Sequence, residues 1–323
     1  MIMNENKNHR KPTLLIALDG NALIRKGQKG TIAQQFQNLK VPIDQIASLI
    51  DDFNIIITHG NGPQVGNLRL QQECCDIVPR LPLETLVAQT QGQIGYMIES
   101  VLDEALMERG INFQPICTLI TYVVVDKNDT AFDNPTKPIG PSFTKDQIQA
   151  LPYPTVETPK GFRRVVASPE PVTIVEKREI KRSIEMGFIV ICCGGGGIPV
   201  VREGRAFNGI DAVIDKDLAS TCLAAEVGVD ILVIATDVDG VMLNFGSQEQ
   251  QVLRRLTPEQ ALEFEKQGRF SKGAMLPKVQ AASGFVNRCG QNAIITSVES
   301  IVDAVYGKAG TTFVPSERPA KTR

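Results

Sequence analysis

Asn54-Ile55-Ile56-Ile57-Thr58-His59-Gly60-Asn61-Gly62-Pro63 is the stretch that decides the fold. Its isoleucines follow one another without polar alternation, so it reads as a strand buried on both faces, the kind found in parallel sheets. The glycines then turn the chain sharply. Pro63 suits the first residue of a helix, where its missing N–H costs nothing. Strand, glycine turn and helix form the repeating half-unit of a parallel α/β fold.

Working outward, the same grammar recurs. Leu14-Leu15-Ile16-Ala17-Leu18 runs into Asp19-Gly20-Asn21, residues 188–193 into Gly194-Gly195-Gly196-Gly197, and residues 230–235 into Thr236-Asp237-Val238-Asp239-Gly240. Helical spacing predicts helices over 31–51 (broken or kinked at Pro42), 89–109, 174–186, 217–227, 258–267 and 276–287. Residues 116–125 are β-rich, and residues 293–295 begin a last strand. The alternation predicts an α/β chain with a mostly parallel sheet covered on both faces. Residues 126–164 break the pattern with Pro135, Pro138, Pro141, Pro152, Pro154 and Pro159, and read as a small lid or flap.

Composition bounds the function. The 323 residues are 42% hydrophobic and 22% charged, which excludes a disordered chain. A net charge of −2 argues against a nucleic-acid binder built on phosphate neutralisation. The chain holds seven cysteines without a C-x-x-C, which suits a reducing, cytosolic setting. Its two histidines, His9 and His59, exclude a multi-histidine metal site. Residues 1–12 are polar and read as a frayed tail rather than a signal peptide. No apolar run approaches the roughly 20 residues that cross a bilayer.

Four strands therefore end in Gly-rich or Asp-rich turns, and ligands of open parallel sheets bind at the carboxyl ends of strands. Glycine allows close backbone approach, and the helix N-terminus beyond it favours an anion such as phosphate. No G-x-x-x-x-G-K-[ST] and no G-x-G-x-x-G is present, against a P-loop NTPase and a standard dinucleotide fold. His59-Gly60-Asn61-Gly62 suggests a hydrolase oxyanion loop, but no G-x-S-x-G accompanies it. The candidate cations are Lys137, stiffened between Thr136 and Pro138 with Pro135 upstream, Lys216 between Asp215 and Asp217, and Lys278 after Pro277. Against them stand ordinary roles: a surface charge at a helix start for Lys216 and an exposed helix face for Lys278.

Read together, the segment from His59 to Gly66, Asn134-Pro135-Thr136-Lys137-Pro138-Ile139-Gly140-Pro141, residues 194–200, Ala212-Val213-Ile214-Asp215-Lys216-Asp217 and Met275-Leu276-Pro277-Lys278-Val279 resemble the carbamate kinases of the amino acid kinase family. The resemblance runs from about residue 14 to residue 315, in the family's order and spacing. It implies a three-layer αβα sandwich with a protruding lid subdomain, and reversible phosphoryl transfer between ATP and carbamate with Mg²⁺ carried by the nucleotide. It further implies a cytoplasmic homodimer that works in arginine metabolism without nucleic-acid or membrane partners. On this basis residues 13–205 form an acceptor-side lobe bearing the lid at about 126–164. Residues 206–315 form a nucleotide-side lobe, with tails at 1–12 and 316–323.

The resemblance assigns Lys137, Lys216 and Lys278 to charge neutralisation and Asp217 to orienting lysines. It places Gly20, Asn21, Gly60, Asn61, Gly62, Gly195 and Gly196 around the transferring phosphoryl group, and Thr236, Asp237, Val238, Asp239, Met275 and Lys278 on the nucleotide. These roles suit phosphoryl transfer, which asks for positioning and charge neutralisation. One residue departs from the pattern: Asp19 stands where the family usually has glycine. Two like charges at roughly 4 Å repel by about 4 kcal/mol at an effective dielectric of 20, so an inward Asp19 would slow phosphoryl transfer. Asp19 could also turn outward, pair with a lysine, or serve a different acceptor. Two alternatives follow from it: a kinase of another small carboxylate or carbamate, or a catalytically impaired nucleotide-binding regulatory protein.

Overall fold

The structure, a computed structural model, describes residues 10–316 apart from 26, 159, 160, 247, 248 and 271–274. Most of the expected tails, and Pro159, lie outside the described residues. The chain opens with Thr13–Leu18 (β1), Ile32–Ala47 (α1), Asn54–His59 (β2), Gly62–Glu73 (α2) and Leu83–Glu108 (α3). Ile116–Thr118 (β3) and Tyr122–Val125 (β4) lead into the excursion, Lys137–Phe143 (β5), Thr155–Thr158 (β6) and Gly161–Val166 (β7). Pro171–Ile174 (β8), Lys177–Glu185 (α4), Ile189–Ile191 (β9), Ile198–Glu203 (β10) and Ala206–Gly209 (β11) follow. Lys216–Val227 (α5), Ile231–Thr236 (β12) and the short Met242–Leu243 (β13), Gln251–Val252 (β14) and Arg255–Leu256 (β15) come next. Pro258–Lys266 (α6), Met275–Cys289 (α7), Asn292–Ser297 (β16), Ile301–Val305 (α8) and Thr311–Phe313 (β17) complete the fold.

The main sheet has the order β15-β17-β16-β12-β1-β2-β9-β3 and is parallel except where β17 runs against β16. Alternate residues of each central strand serve opposite faces. Leu15, Ala17, Ile56, Leu232 and Ile234 face one layer, where Ile180 of α4, Leu223 of α5 and Phe285 of α7 pack. Leu14, Ile16, Leu18, Ile55 and Ile57 face the other, under Ile43 of α1, Ile98 of α3 and Ile301 of α8. This is the expected αβα sandwich. Among the described residues three smaller sheets accompany it: β11-β10-β4-β8, the two-stranded β13-β14, and the antiparallel β5-β7-β6 built by the excursion. Val65 of α2, Leu86 and Val87 of α3, Ile139 of β5 and Val166 of β7 share a separate apolar cluster that seats the excursion.

Several boundaries differ from the sequence reading. α1 starts with a capping box between Thr31 and Gln34 and runs through Pro42, which is buried inside it. α3 begins at Leu83, earlier than expected, because the buried polar Thr90 and Gln91 interrupt its apolar period. Ile174 ends a strand paired with Val123 and does not start a helix. The β-rich run 116–125 divides between the main sheet and the β4 sheet.

Candidate active site

The glycine turns after β1, β2 and β9 meet at the carboxyl edge of the main sheet. A Cβ on Gly60 would lie 3.2 Å from Gly20 N and 3.6 Å from Lys216 Cδ. Gly195, at φ +65°, lies against Asn61, where a Cβ would come within 2.1 Å of Nδ2. The buried Asn61 donates that amide to Thr90 at 2.8 Å, so in this state its Nδ2 braces the turn. The amides of Gly20, Gly60 and Gly196 also have internal acceptors, Asp19 Oδ1, the Leu18 carbonyl and the Cys193 carbonyl. Gly62 opens α2, whose N-cap Asn61 makes no side-chain cap bond.

The three lysines are drawn into a chain of ion pairs with three carboxylates. Asp217 accepts Lys216 Nζ on Oδ1 and Lys278 Nζ on Oδ2, the latter at 3.0 Å. Lys216, Asp217 and Lys278 are buried at 7%, 3% and 4% exposure, which sets aside the ordinary surface roles for both lysines. Lys137 reaches from β5 to Asp215 Oδ2 at 2.5 Å. Asp215 is also the N-cap of α5, its Oδ1 accepting the amides of Asp217 and Leu218. Lys278 further lies 2.9 Å from Asp19 Oδ2. The β5 excursion, α5, α7 and the end of β1 thus deliver their charges to one place.

The electrostatics follow from this pairing. Burial alone would lower the pKa of Lys278, but Asp19 and Asp217 outweigh it and hold it well above the usual ammonium range. Burial would raise Asp19, but Lys278 and Lys216 hold its carboxyl far below the usual range. Asp215 moves the same way against burial, down to about 2, chiefly through Lys137. All three are charged at neutral pH. Of the readings left open for Asp19, the structure shows pairing with a lysine: its charge is matched by Lys278.

Of the residues expected to meet the nucleotide, Thr236 is buried at the end of β12, donating to Asp19 Oδ2 at 3.1 Å and approaching Asp237 Oδ1 at 3.3 Å. Asn21 donates to Asp237 Oδ2 at 3.0 Å, joining the β1 and β12 turns. Asp237 and Asp239 are exposed, Val238 is half-buried, and Met275 packs at the start of α7 against the core.

Three residues were missed from sequence. Asp215 entered only as a neighbour of Lys216, because its pairing with Lys137 joins segments far apart in the chain. His59 is buried with its ring between the Gly60 carbonyl and Gly194, a surrounding that its neighbours in sequence do not signal. Arg163 of β7 donates Nε to the Gly140 carbonyl at 3.0 Å, while its buried Nη2 has no partner. That Nη2 lies 3.9 Å from where a Cβ on Gly62 would stand, at the open N-terminus of α2.

The profile of the amino acid kinase family matches residues 12–297. The carbamate kinase of Thermococcus kodakarensis is 44% identical over 311 residues, covering 93% of this chain and 98% of that relative. The carbamate kinase of Pyrococcus furiosus is 42% identical, covering 94% and 99%. Among solved structures, carbamate kinase from Giardia lamblia bound to citric acid superposes with a TM-score of 0.89 at 38% identity, covering 94% of this chain and 99% of that one. The same enzyme bound to AMP-PNP gives 0.86 at 37% identity, with the same coverage.

Proposed function

The chain belongs to the amino acid kinase family, and we propose that its buried lysine cluster moves a phosphoryl group reversibly between ATP and carbamate. It is a phosphotransferase of the carbamate kinase type with a carboxyl-group acceptor. The observation that carries the chemistry is Asp217, one carboxylate holding Lys216 on one oxygen and Lys278 on the other. Two ammoniums fixed at one edge of the sheet form a preorganised clamp for a group whose charge spreads over its equatorial oxygens.

In this reading the acceptor enters on the side of Gly20, Gly60, Gly62 and Gly195, within the residue 13–205 lobe. The nucleotide enters on the side of Thr236, Asp237, Val238, Asp239 and Met275, within the 206–315 lobe. Lys137 would close the clamp from the excursion, which acts as a lid over residues 126–164. A carbamate oxygen attacks the terminal phosphorus and ADP leaves. Carbamate is already an anion, so no strong base is required.

Among the described residues no group of three or more His, Cys, Asp or Glu stands ready to hold a metal. The exposed carboxylates of Asp237 and Asp239 fit Mg²⁺ delivered on the nucleotide phosphates, directly or through its water. The ion would supply charge neutralisation on those phosphates. No helix among the described residues is long and apolar enough to cross a membrane. We place the enzyme in the cytoplasm as a homodimer acting in arginine metabolism.

A coupled assay of ATP formation from ADP, carbamoyl phosphate and Mg²⁺ tests the assignment. Turnover that depends on both substrates and on Mg²⁺ and is lost in Asp217→Asn supports it. Absence of ATP formation by the folded wild-type protein overturns it.

A further inference from the structure

The carboxylate of Asp19 is surrounded by donors. Its Oδ1 accepts the Gly20 amide at 2.8 Å, and its Oδ2 accepts the Thr236 hydroxyl at 3.1 Å and lies 2.9 Å from Lys278 Nζ. A glycine-turn amide, a hydroxyl at the end of the adjacent strand and a buried ammonium are the donors that a phosphoryl or acyl-phosphate oxygen would seek. Here they already hold an anion that belongs to the chain.

We propose that Asp19 is a resident anion. Its carboxylate takes the phosphoryl-oxygen place on Lys278, and an entering phosphoryl group must displace it. The proposal rests on the reading of this cluster as the phosphoryl-transfer site, and goes beyond it by assigning a selectivity role to a position outside the family pattern.

Charge and mobility both point to Asp19 as the displaceable member. Lys137, Lys216 and Lys278 face Asp19, Asp215 and Asp217, so the cluster is neutral as it stands. A phosphate gains a net cation only when one carboxylate lets go. Asp217 bridges two lysines at 3% exposure, and Asp215 is tied to two backbone amides of α5. Asp19 is the least enclosed, with 23% of its side chain exposed. Its backbone is extended at φ −74° and ψ 160°, so a side-chain rotation withdraws the carboxylate without backbone strain. The same rotation frees the Gly20 amide. Displacement penalises a ligand with only one anionic foothold, such as inorganic phosphate. It is outweighed by a nucleotide and an acyl phosphate, which bring other contacts. The resident carboxylate thus keeps small anions from blocking the site.

Titration calorimetry with inorganic phosphate and with ADP, on wild type, Asp19→Asn and Asp19→Gly, tests this. Asn keeps the shape and an acceptor for Gly20 while removing the charge. Gly is the second variant in case Asn perturbs the turn, and thermal unfolding confirms that each is folded. The expected result is phosphate binding at least tenfold tighter in both variants, with stronger phosphate inhibition and a lower KM for ADP. In a Lys278→Gln background the Asp19→Asn gain should shrink below twofold, which a merely structural role would not produce. Phosphate affinity within twofold of wild type, or weaker, in folded Asp19 variants overturns the proposal. Because phosphate binding is read directly, it decides the role of Asp19 even if the turnover assay rejects carbamoyl phosphate as the substrate.

Discussion

Gly66 of α2 and Gly140 of β5 are in backbone contact: a Cβ on Gly66 would lie 1.9 Å from Gly140 N and 2.0 Å from its Cα. No side chain fits between them, so the excursion sits directly on α2. Gly140 is at φ +73°, a conformation that glycine alone adopts freely. A second link lies beside this contact, where Arg164 of β7 pairs with Glu73 of α2 at 2.5 Å. Lys137 is on the same strand as Gly140, so its reach to Asp215 depends on this seat.

Gly66→Ala should therefore push β5 away from α2. Overpacking of this kind costs about 1–3 kcal/mol of stability. Displacement of Lys137 should lower kcat by about a hundredfold, the scale of losing one preorganised donor. ADP affinity, measured by calorimetry, should stay within about twofold because α7 and β12 are untouched. A variant with wild-type kcat would show that Lys137 does not need this seat.

The lysines should separate by phenotype. Lys137→Ala leaves Asp215 held by the amides of Asp217 and Leu218, so folding should survive while turnover falls about a hundredfold or more. Lys278→Ala removes the shared partner of Asp19 and the buried Asp217. Stripping one member from a buried ion pair costs about 3–5 kcal/mol. Lys278→Ala should thus lose turnover, ADP affinity and several degrees of melting temperature together. Equal melting temperatures for the two variants would contradict the difference in burial.

Arg163 offers a test of the acceptor side. Burial lowers its pKa, and its Nη2 has no partner at the open end of α2. A buried cation facing the positive end of a helix is favourable only with an anion between them. Arg163→Met should raise the KM for carbamoyl phosphate about tenfold, leave the KM for ADP unchanged, and leave stability equal or higher. An unchanged KM for carbamoyl phosphate would reduce Arg163 to its bond with the Gly140 carbonyl.

The parts of the fold that were legible in sequence are those where local pattern and burial coincide. Leu14 to Leu18 and Ile55 to Ile57 are continuous apolar runs because both sheet faces are covered. The glycine turns were visible because close approach excludes side chains, as Gly60 against Gly20 shows. The lysines could be named as candidate cations from their neighbours, but their roles came only through the resemblance. What hid their environment is that each is balanced across the chain: Lys278 by Asp217 and Asp19, Lys137 by Asp215. Asp19 read as a repulsive charge for the same reason, since nothing near it in sequence shows that a buried ammonium waits opposite. The start of α3 was hidden by Thr90 and Gln91, whose burial is satisfied by Asn61 and by the backbone of Thr121.

The last prediction concerns His59, the buried histidine at the end of β2, 1% exposed. Its Nδ1 donates to the Gly60 carbonyl at 3.2 Å, and a Cβ on Gly194 would lie 2.4 Å from its Nε2, so the ring is wedged between two glycine turns. Burial lowers its pKa from 6.5 to about 4; the bond to Gly60 opposes that shift and the charge of Lys216 adds to it. The folded protein therefore keeps the ring neutral between pH 4 and 6.5, while the unfolded chain takes up a proton there. Stability rises with pH wherever the unfolded state binds more protons. The contribution of neutral His59 is thus fully present above pH 6.5 and is lost as pH falls toward 4. A shift of this size corresponds to about 3 kcal/mol over the whole window, of which about 2 kcal/mol falls between neutrality and pH 5. Denaturant unfolding of wild type and His59→Gln at pH 7.5 and pH 5 isolates the effect. The carboxylates that Lys137 and Lys278 hold low lose their contribution only below about pH 4 and stay out of this range. Wild type should lose about 2 kcal/mol more than His59→Gln on going to pH 5. Parallel losses in the two proteins would mean that the ring can take up a proton in place, which would also bring a new positive charge beside Lys216 and the phosphoryl path.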